Sequence, residues 1–126
     1  MRVRVKICGI TCVEDALTAV RNGADAIGLV FYAQSPRNVT IRQAQEIANQ
    51  IPAFVSVVGL FVNAEAGFIN EVVSQVKIDL LQFHGDETPD ECAQYTLPFI
   101  KAIRVKLDTN LVQCSVDFFS GQSLVA

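Results

Sequence analysis

A lysine two residues before a cysteine, at the end of an apolar run, is a spacing that can do chemistry. In "VKICGIT", residues 5–11, Lys6 and Cys8 fall on one face of any strand containing them, because strand side chains alternate. A cation near a thiol favours the thiolate, which acts as a base or a nucleophile. A free cysteine is also commonly a small buried packing residue, so the stretch alone leaves both roles open. The same spacing puts Gln82 with His84 in "LLQFHGDE", and Ala102 with Arg104 in "PFIKAIRV". Arg37, in the turn "SPR" after another apolar run, carries the forked guanidinium that can hold a carboxylate by two parallel hydrogen bonds; its plainer reading is a solvated loop charge. His84, the one histidine in the chain, can carry a proton or serve as a hydrogen-bonded structural residue. Asp86 and Glu87 read as solvated residues entering a helix.

These groups need elements to position them. Apolar runs rich in valine and isoleucine recur as "VRVKIC", "DAIGLVFY", "FVSVVGLFV", "DLLQFHG", "PFIKAIRV" and "SLVA". Runs without strict alternation suit strands covered on both faces of a parallel sheet. Segments with helical spacing lie between them. Thr11 and Glu14 form a T-x-x-E capping box ahead of Ala16, Ala19 and Val20, and Gly23 is a stop for that helix. Thr40 and Gln43 form a second box, with Ile41, Ala44, Ala48 and Ile51 on one stripe. Asn63 is expected to cap a third helix carrying Ile69, Val72, Val73 and Val76 inward. Thr88, Pro89 and Glu91 supply the cap, first-turn proline and box acid of a fourth. A fifth is expected near residues 111–119, in a segment of poor helix formers. Strands alternating with helices imply a parallel sheet with right-handed crossovers, whose chemistry gathers at the C-terminal strand ends. Cys8, "FYAQSPR", "FVN", "QFHGDE" and Arg104 all stand there. A closed barrel needs eight such units, so length by itself favours a doubly wound five-stranded domain, while the residues at the strand ends favour the barrel.

The 126 residues suit a single domain or part of one, and 51% hydrophobic against 18% charged residues argues for a packed core. A net charge of −3 argues against a nucleic-acid surface and is compatible with one small anionic ligand. No apolar run reaches the ~18 residues of a membrane span. "MRVRVKICGI" lacks the features of a signal peptide, so a cytoplasmic protein is expected, with no membrane partner. Cys8, Cys12, Cys92 and Cys114 form no C-x-x-C pair and are expected to be reduced, and "CGITC" has no third cysteine nearby to complete a metal site. "GADAIG" does not match the dinucleotide-binding glycine pattern.

Taken together, "KICGIT", "GADAIGLVFYAQSPR", "VGLFVN", "LLQFHGDE" and "IKAIRV" resemble phosphoribosylanthranilate isomerase of tryptophan biosynthesis, in that family's order and spacing over about residues 3–105. The resemblance implies an α/β fold of the (β/α)8 TIM-barrel family, with no metal and no organic cofactor. It implies an Amadori rearrangement of a phosphosugar, N-(5'-phosphoribosyl)anthranilate, to 1-(2-carboxyphenylamino)-1-deoxyribulose 5-phosphate. Carried over residue by residue, Cys8 is the general base and Arg37 the holder of the anthranilate carboxylate. Gln82 and His84 line the substrate pocket, and Arg104 is a further candidate there. Lys6, on the same strand face, would favour the Cys8 thiolate.

The family's general acid is an aspartate at the end of strand six, which the resemblance places just after Ala126; its glycine-rich phosphate loop would lie further on. Residues 1–126 are therefore expected to form the N-terminal portion of such a domain, an incomplete barrel of about five and a half units. As written, such a chain is expected to show little or no activity. It is also expected to self-associate through unpaired edges, whereas a full-length protein would be a monomer or homodimer. Three rivals share parts of the pattern: a small doubly wound binding module of receiver or flavodoxin type, a non-catalytic assembly fragment, and another phosphate-binding barrel enzyme.

Overall fold

A computed structural model describes residues 2–118 and 123–125, with the side chains of 2–118. Six strands alternate with five helices among the described residues. The order is β1 (Lys6–Cys8), α1 (Val13–Arg21), β2 (Ala26–Phe31), α2 (Ile41–Ala48), β3 (Ser56–Phe61) and α3 (Ala66–Gln75). It continues through β4 (Leu80–Phe83), α4 (Pro89–Ala93), β5 (Phe99–Ala102), α5 (Leu111–Asp117) and β6 (Ser123–Val125). The Phe119 end of the fifth helix and the Ala126 end of the sixth strand, as expected from sequence, lie outside the described residues.

Every strand pair is parallel and the sheet order is β1-β2-β3-β4-β5-β6. A doubly wound sheet reverses direction at a switch point; this one adds each strand beside the last, as a barrel does. The sheet is also curled. β1 and β4 are not neighbours, yet Lys6 Nζ donates to Gln82 Oε1. Only a concave sheet brings those two strands within hydrogen-bond reach. The result is a half-barrel of the kind expected, rather than the five-stranded open domain that length favours.

Alternation sorts the side chains. Ile27, Leu29, Phe31, Val57, Phe61, Leu81, Phe83 and Phe99 point to the helices and form one core with Ala16, Ala44, Ile47, Ile69, Val72 and Cys92. Phe31 and Phe61 stack at 5.3 Å between centroids, and Phe83 stacks on Tyr95 at 5.9 Å. The register places Cys8, Gly28, Val58, Leu60, Gln82 and Ile100 on the opposite, concave face.

The caps test the local reading. α2 and α4 carry complete capping boxes, Thr40 with Gln43 and Thr88 with Glu91. After α1, Gly23 N donates to Val20 O and Ala24 N to Ala19 O, the paired bonds of a Schellman stop. Two expected caps are wrong. Thr11 does not cap α1; the helix starts after Cys12, with no side-chain cap. The amides of Gly9 and Ile10 both donate to Gly28 O within β2, and the helix begins only after Cys12. Asn63 does not cap α3, whose cap residue is Glu65. Its side-chain oxygen instead accepts from Asp86 N at 2.8 Å, in the loop after β4.

Candidate active site

The site is built where the strands end. After Cys8 the backbone turns through Gly9 at φ +83°, and both next amides close onto β2. That turn brings Arg37 home. Tyr32 O accepts from Ser35 N, and Ser35 Oγ accepts from Arg37 N at 3.1 Å, so the loop after β2 folds back on itself. Arg37 Nη1 then donates to Cys8 O at 3.3 Å. The guanidinium lies over Gly9 so closely that a Cβ there would stand 2.3 Å from Nη1. A glycine is required twice over, by its backbone angle and by the arginine above it. Among the described residues, the Cys8 carbonyl is the one acceptor of the Arg37 fork, whose remaining donors are available to an anion. The Cys8 thiol is half-buried and free, on the concave face two positions beyond Lys6.

Lys6 and Gln82 form the floor. Gln82 is buried, with its amide oxygen taken by the Lys6 ammonium. The hydrogen bond that holds Lys6 therefore runs across the concave face to β4. His84 and Arg104 belong to a separate cleft of about 960 Å³ at the ends of β3, β4 and β5, also lined by Asn63, Gly85, Ala102 and Lys106. Both side chains are exposed. The structure thus gathers the expected residues into two neighbouring groups at one end of the half-barrel: Lys6, Cys8, Arg37 and Gln82 over β1, β2 and β4, and His84 with Arg104 over β4 and β5. Lys6, Arg37 and Arg104 place cationic groups at this end, which suits an anionic ligand.

Glu87 corrects the sequence reading. It is not solvated: it pairs with Lys101 at 2.8 Å, and both side chains are only 5% exposed. Burial alone would raise its carboxyl, but the Lys101 ammonium and backbone N–H donors hold it below the usual carboxylate range. Lys101 projects from the helix-facing side of β5, in register with Phe83. The signal was present in "PFIKAIRV", where a lysine inside a buried run demands an acid; which acid could not be read from spacing. The neighbouring Cys92 thiol, on α4, is pushed up to about 12 by burial and is a packing residue. Among the described residues no group of three His, Cys, Asp or Glu side chains could hold a metal ion, and no helix is long and apolar enough to cross a membrane.

Comparison with known proteins follows the same lines. The chain is 64% identical over 123 residues to N-(5'-phosphoribosyl)anthranilate isomerase of Pseudomonas fluorescens, covering 98% of this chain and 59% of that one. It is 51% identical over 125 residues to the isomerase of Thiobacillus denitrificans, covering 99% and 61%. The chain therefore spans about three-fifths of the length of these relatives. A solved phosphoribosylanthranilate isomerase in complex with reduced 1-(o-carboxyphenylamino)-1-deoxyribulose 5-phosphate superposes with a TM-score of 0.85 at 42% identity, over 90% of this chain and 59% of that one. The family model of N-(5'-phosphoribosyl)anthranilate isomerase matches residues 5–124, and with that match the chain belongs to the phosphoribosylanthranilate isomerase family.

Proposed function

We propose that this chain supplies the base-bearing part of a phosphoribosylanthranilate isomerase site, acting on N-(5'-phosphoribosyl)anthranilate in tryptophan biosynthesis. The observation that carries the reading is the seat of Arg37, one hydrogen bond from the backbone of Cys8. A guanidinium with free donors beside a thiol can hold the anthranilate carboxylate while the thiolate reaches the sugar. The rearrangement begins when a general acid protonates the ribose ring oxygen and the ring opens to a Schiff base. Cys8 then takes the C2' proton, and the electron pair moves to give an enolamine, which tautomerises to the ketone. Lys6 and Gln82 form the floor beneath the reacting carbons, and His84 with Arg104 line the adjoining cleft. The solved relative's bound analogue carries the same carboxyphenylamino and phosphate groups that such a site would meet. No step calls on a metal or organic cofactor.

The test joins this chain to the remaining part of the Pseudomonas fluorescens relative and follows substrate conversion. Cys8→Ser should lower kcat by about 10²-fold or more, the size of a lost general base. Turnover within a few-fold of the parent would remove Cys8 from that role. Arg37→Ala should act chiefly on KM; an unchanged KM would remove the carboxylate clamp.

A further inference from the structure

The buried Glu87–Lys101 pair is not needed to fill space. An apolar pair of similar volume would meet the surrounding core without the cost of desolvating two charges. What an apolar pair could not do is bond the backbone around it. Glu87 Oε1 accepts from Gly85 N at 2.9 Å and Oε2 from Asn63 N at 2.8 Å. Lys101 Nζ donates to Gly85 O at 2.6 Å as well as to Glu87. Gly85 is thus held by both its N–H and its C=O. Asn63 Oδ1 stands 2.5 Å from where a Gly85 Cβ would lie and takes the next amide, that of Asp86. His84 N donates to Phe61 O at 2.9 Å on the other side. Every backbone N–H from His84 to Asp86 is therefore tied to the end of β3 or to the ion pair. The His84 side chain emerges from this clamp into the 960 Å³ cleft.

We propose that Glu87 and Lys101 are positioning residues: a buried ion pair, behind the cleft, that locks the peptides on either side of Gly85 and so aims the His84 imidazole at a bound phosphosugar. The link to substrate rests on the isomerase reading above; the locking of the peptide does not. Neither residue needs to touch substrate. The pair joins the ends of three strands, β3 through Asn63, β4 through Gly85 and β5 through Lys101, so the geometry of one mouth segment is set by all three.

The experiment uses the 126-residue chain and its single histidine as a probe. Amide hydrogen exchange is measured residue by residue in the parent, in Glu87→Gln, in Lys101→Met and in the double variant, and the His84 ring signals are followed by NMR. The parent should protect Gly85 and Asp86 as well as it protects the β2–β3 ladder. Either single variant should speed exchange at Asn63, Gly85 and Asp86 about tenfold or more while leaving Gly59 unchanged, because only the local clamp is released. If a single variant fails to fold, the double variant, which leaves no unpaired buried charge, is read in its place. Fast exchange at Gly85 in the parent, or an equal change at Gly59 in the variants, would overturn the proposal. Titration with reduced 1-(2-carboxyphenylamino)-1-deoxyribulose 5-phosphate, carried out on parent and variants joined to the remaining part of the Pseudomonas fluorescens relative as in the activity test and with the His84 signals assigned by their loss in His84→Gln, then separates the two claims. A parent that binds it with a shift of the His84 signals, weakened about tenfold in the variants, supports aiming at substrate. A protected parent that binds the ligand without moving the His84 signals keeps the clamp and overturns the aiming, and a joined chain that does not bind it overturns the isomerase reading and the aiming with it.

Discussion

Replacing Gly9 by alanine tests the part of the site that places Arg37 on Cys8. The perturbation acts twice. At φ +83° an L side chain costs about 1–2 kcal/mol. Narrowing the unfolded ensemble returns about 0.4–1 kcal/mol, so the net loss should be about 1 kcal/mol. The new methyl would also stand 2.3 Å from Arg37 Nη1 and 2.6 Å from its Cδ and Cζ. Ordinary contact between such atoms is about 3.5 Å, so the guanidinium must retreat by about 1 Å. That gives up the 3.3 Å bond to Cys8 O. Urea unfolding followed by far-ultraviolet circular dichroism reads the total. With a slope of about 1–3 kcal/mol per molar, a total of about 1.5 kcal/mol should lower the midpoint by about 0.5–1.5 M. The same substitution in an Arg37→Ala background isolates the second term and should cost about 0.5 kcal/mol less. An unchanged midpoint in Gly9→Ala would refute the strain argument. Equal losses in both backgrounds would mean that Arg37 is not seated on Gly9.

Other outcomes follow from single features. Thr40→Ala and Thr88→Ala should each lower stability by about 1 kcal/mol, whereas Thr11→Ala should change it by less than about 0.5 kcal/mol, because only the first two complete capping boxes; equal losses at all three in urea titrations would contradict the assigned helix starts. Cys12 is exposed and Cys92 is buried with its thiol pushed up to about 12, so a thiol reagent at pH 8 should label Cys12 rapidly and reach Cys92 only on unfolding. Peptide mapping that found Cys92 modified in the folded protein at a comparable rate would overturn that assignment. The Arg2 side chain and the Val5 amide hold the Asp25 carboxyl down, to about 2. Its folded value lies below its unfolded value, so its contribution is fully present above the ordinary carboxylate range, about 3.9, and is lost as pH falls toward 2. Asp25→Asn should therefore flatten the acid limb of the thermal midpoint between pH 5 and 2. Parallel curves for parent and variant would refute the link.

Much of the fold could be read along the chain because its signals are local. Thr40 with Gln43 and Thr88 with Glu91 lie within one helical turn, so two residue types and a spacing suffice. The six apolar runs and their alternation with helical segments announced parallel strands for the same reason. Asn63 shows where local reading stops. It is a good cap by type, but its oxygen was claimed by Asp86, a residue 23 positions away. Thr11 failed similarly: the amides just before it, of Gly9 and Ile10, are drawn to Gly28 O in β2, and the helix begins only after Cys12.

The candidate site divides along the same line. Lys6 with Cys8 and Gln82 with His84 could be placed on common faces from alternation, and motif order suggested a family that the comparisons bear out. The residues at the strand ends pointed to the barrel against the length of the chain, but strand order itself depended on which edges pair and had no local mark. Lys6 meets Gln82 across 76 residues, Arg37 meets Cys8 across 29, and Glu87 finds Lys101 across 14. The sequence by itself determined which chemical groups stand at the strand ends, because a two-residue period and a capping turn are short-range physics. Only the tertiary structure decided which of them meet, because curling the sheet and burying a charge are settled by every strand together.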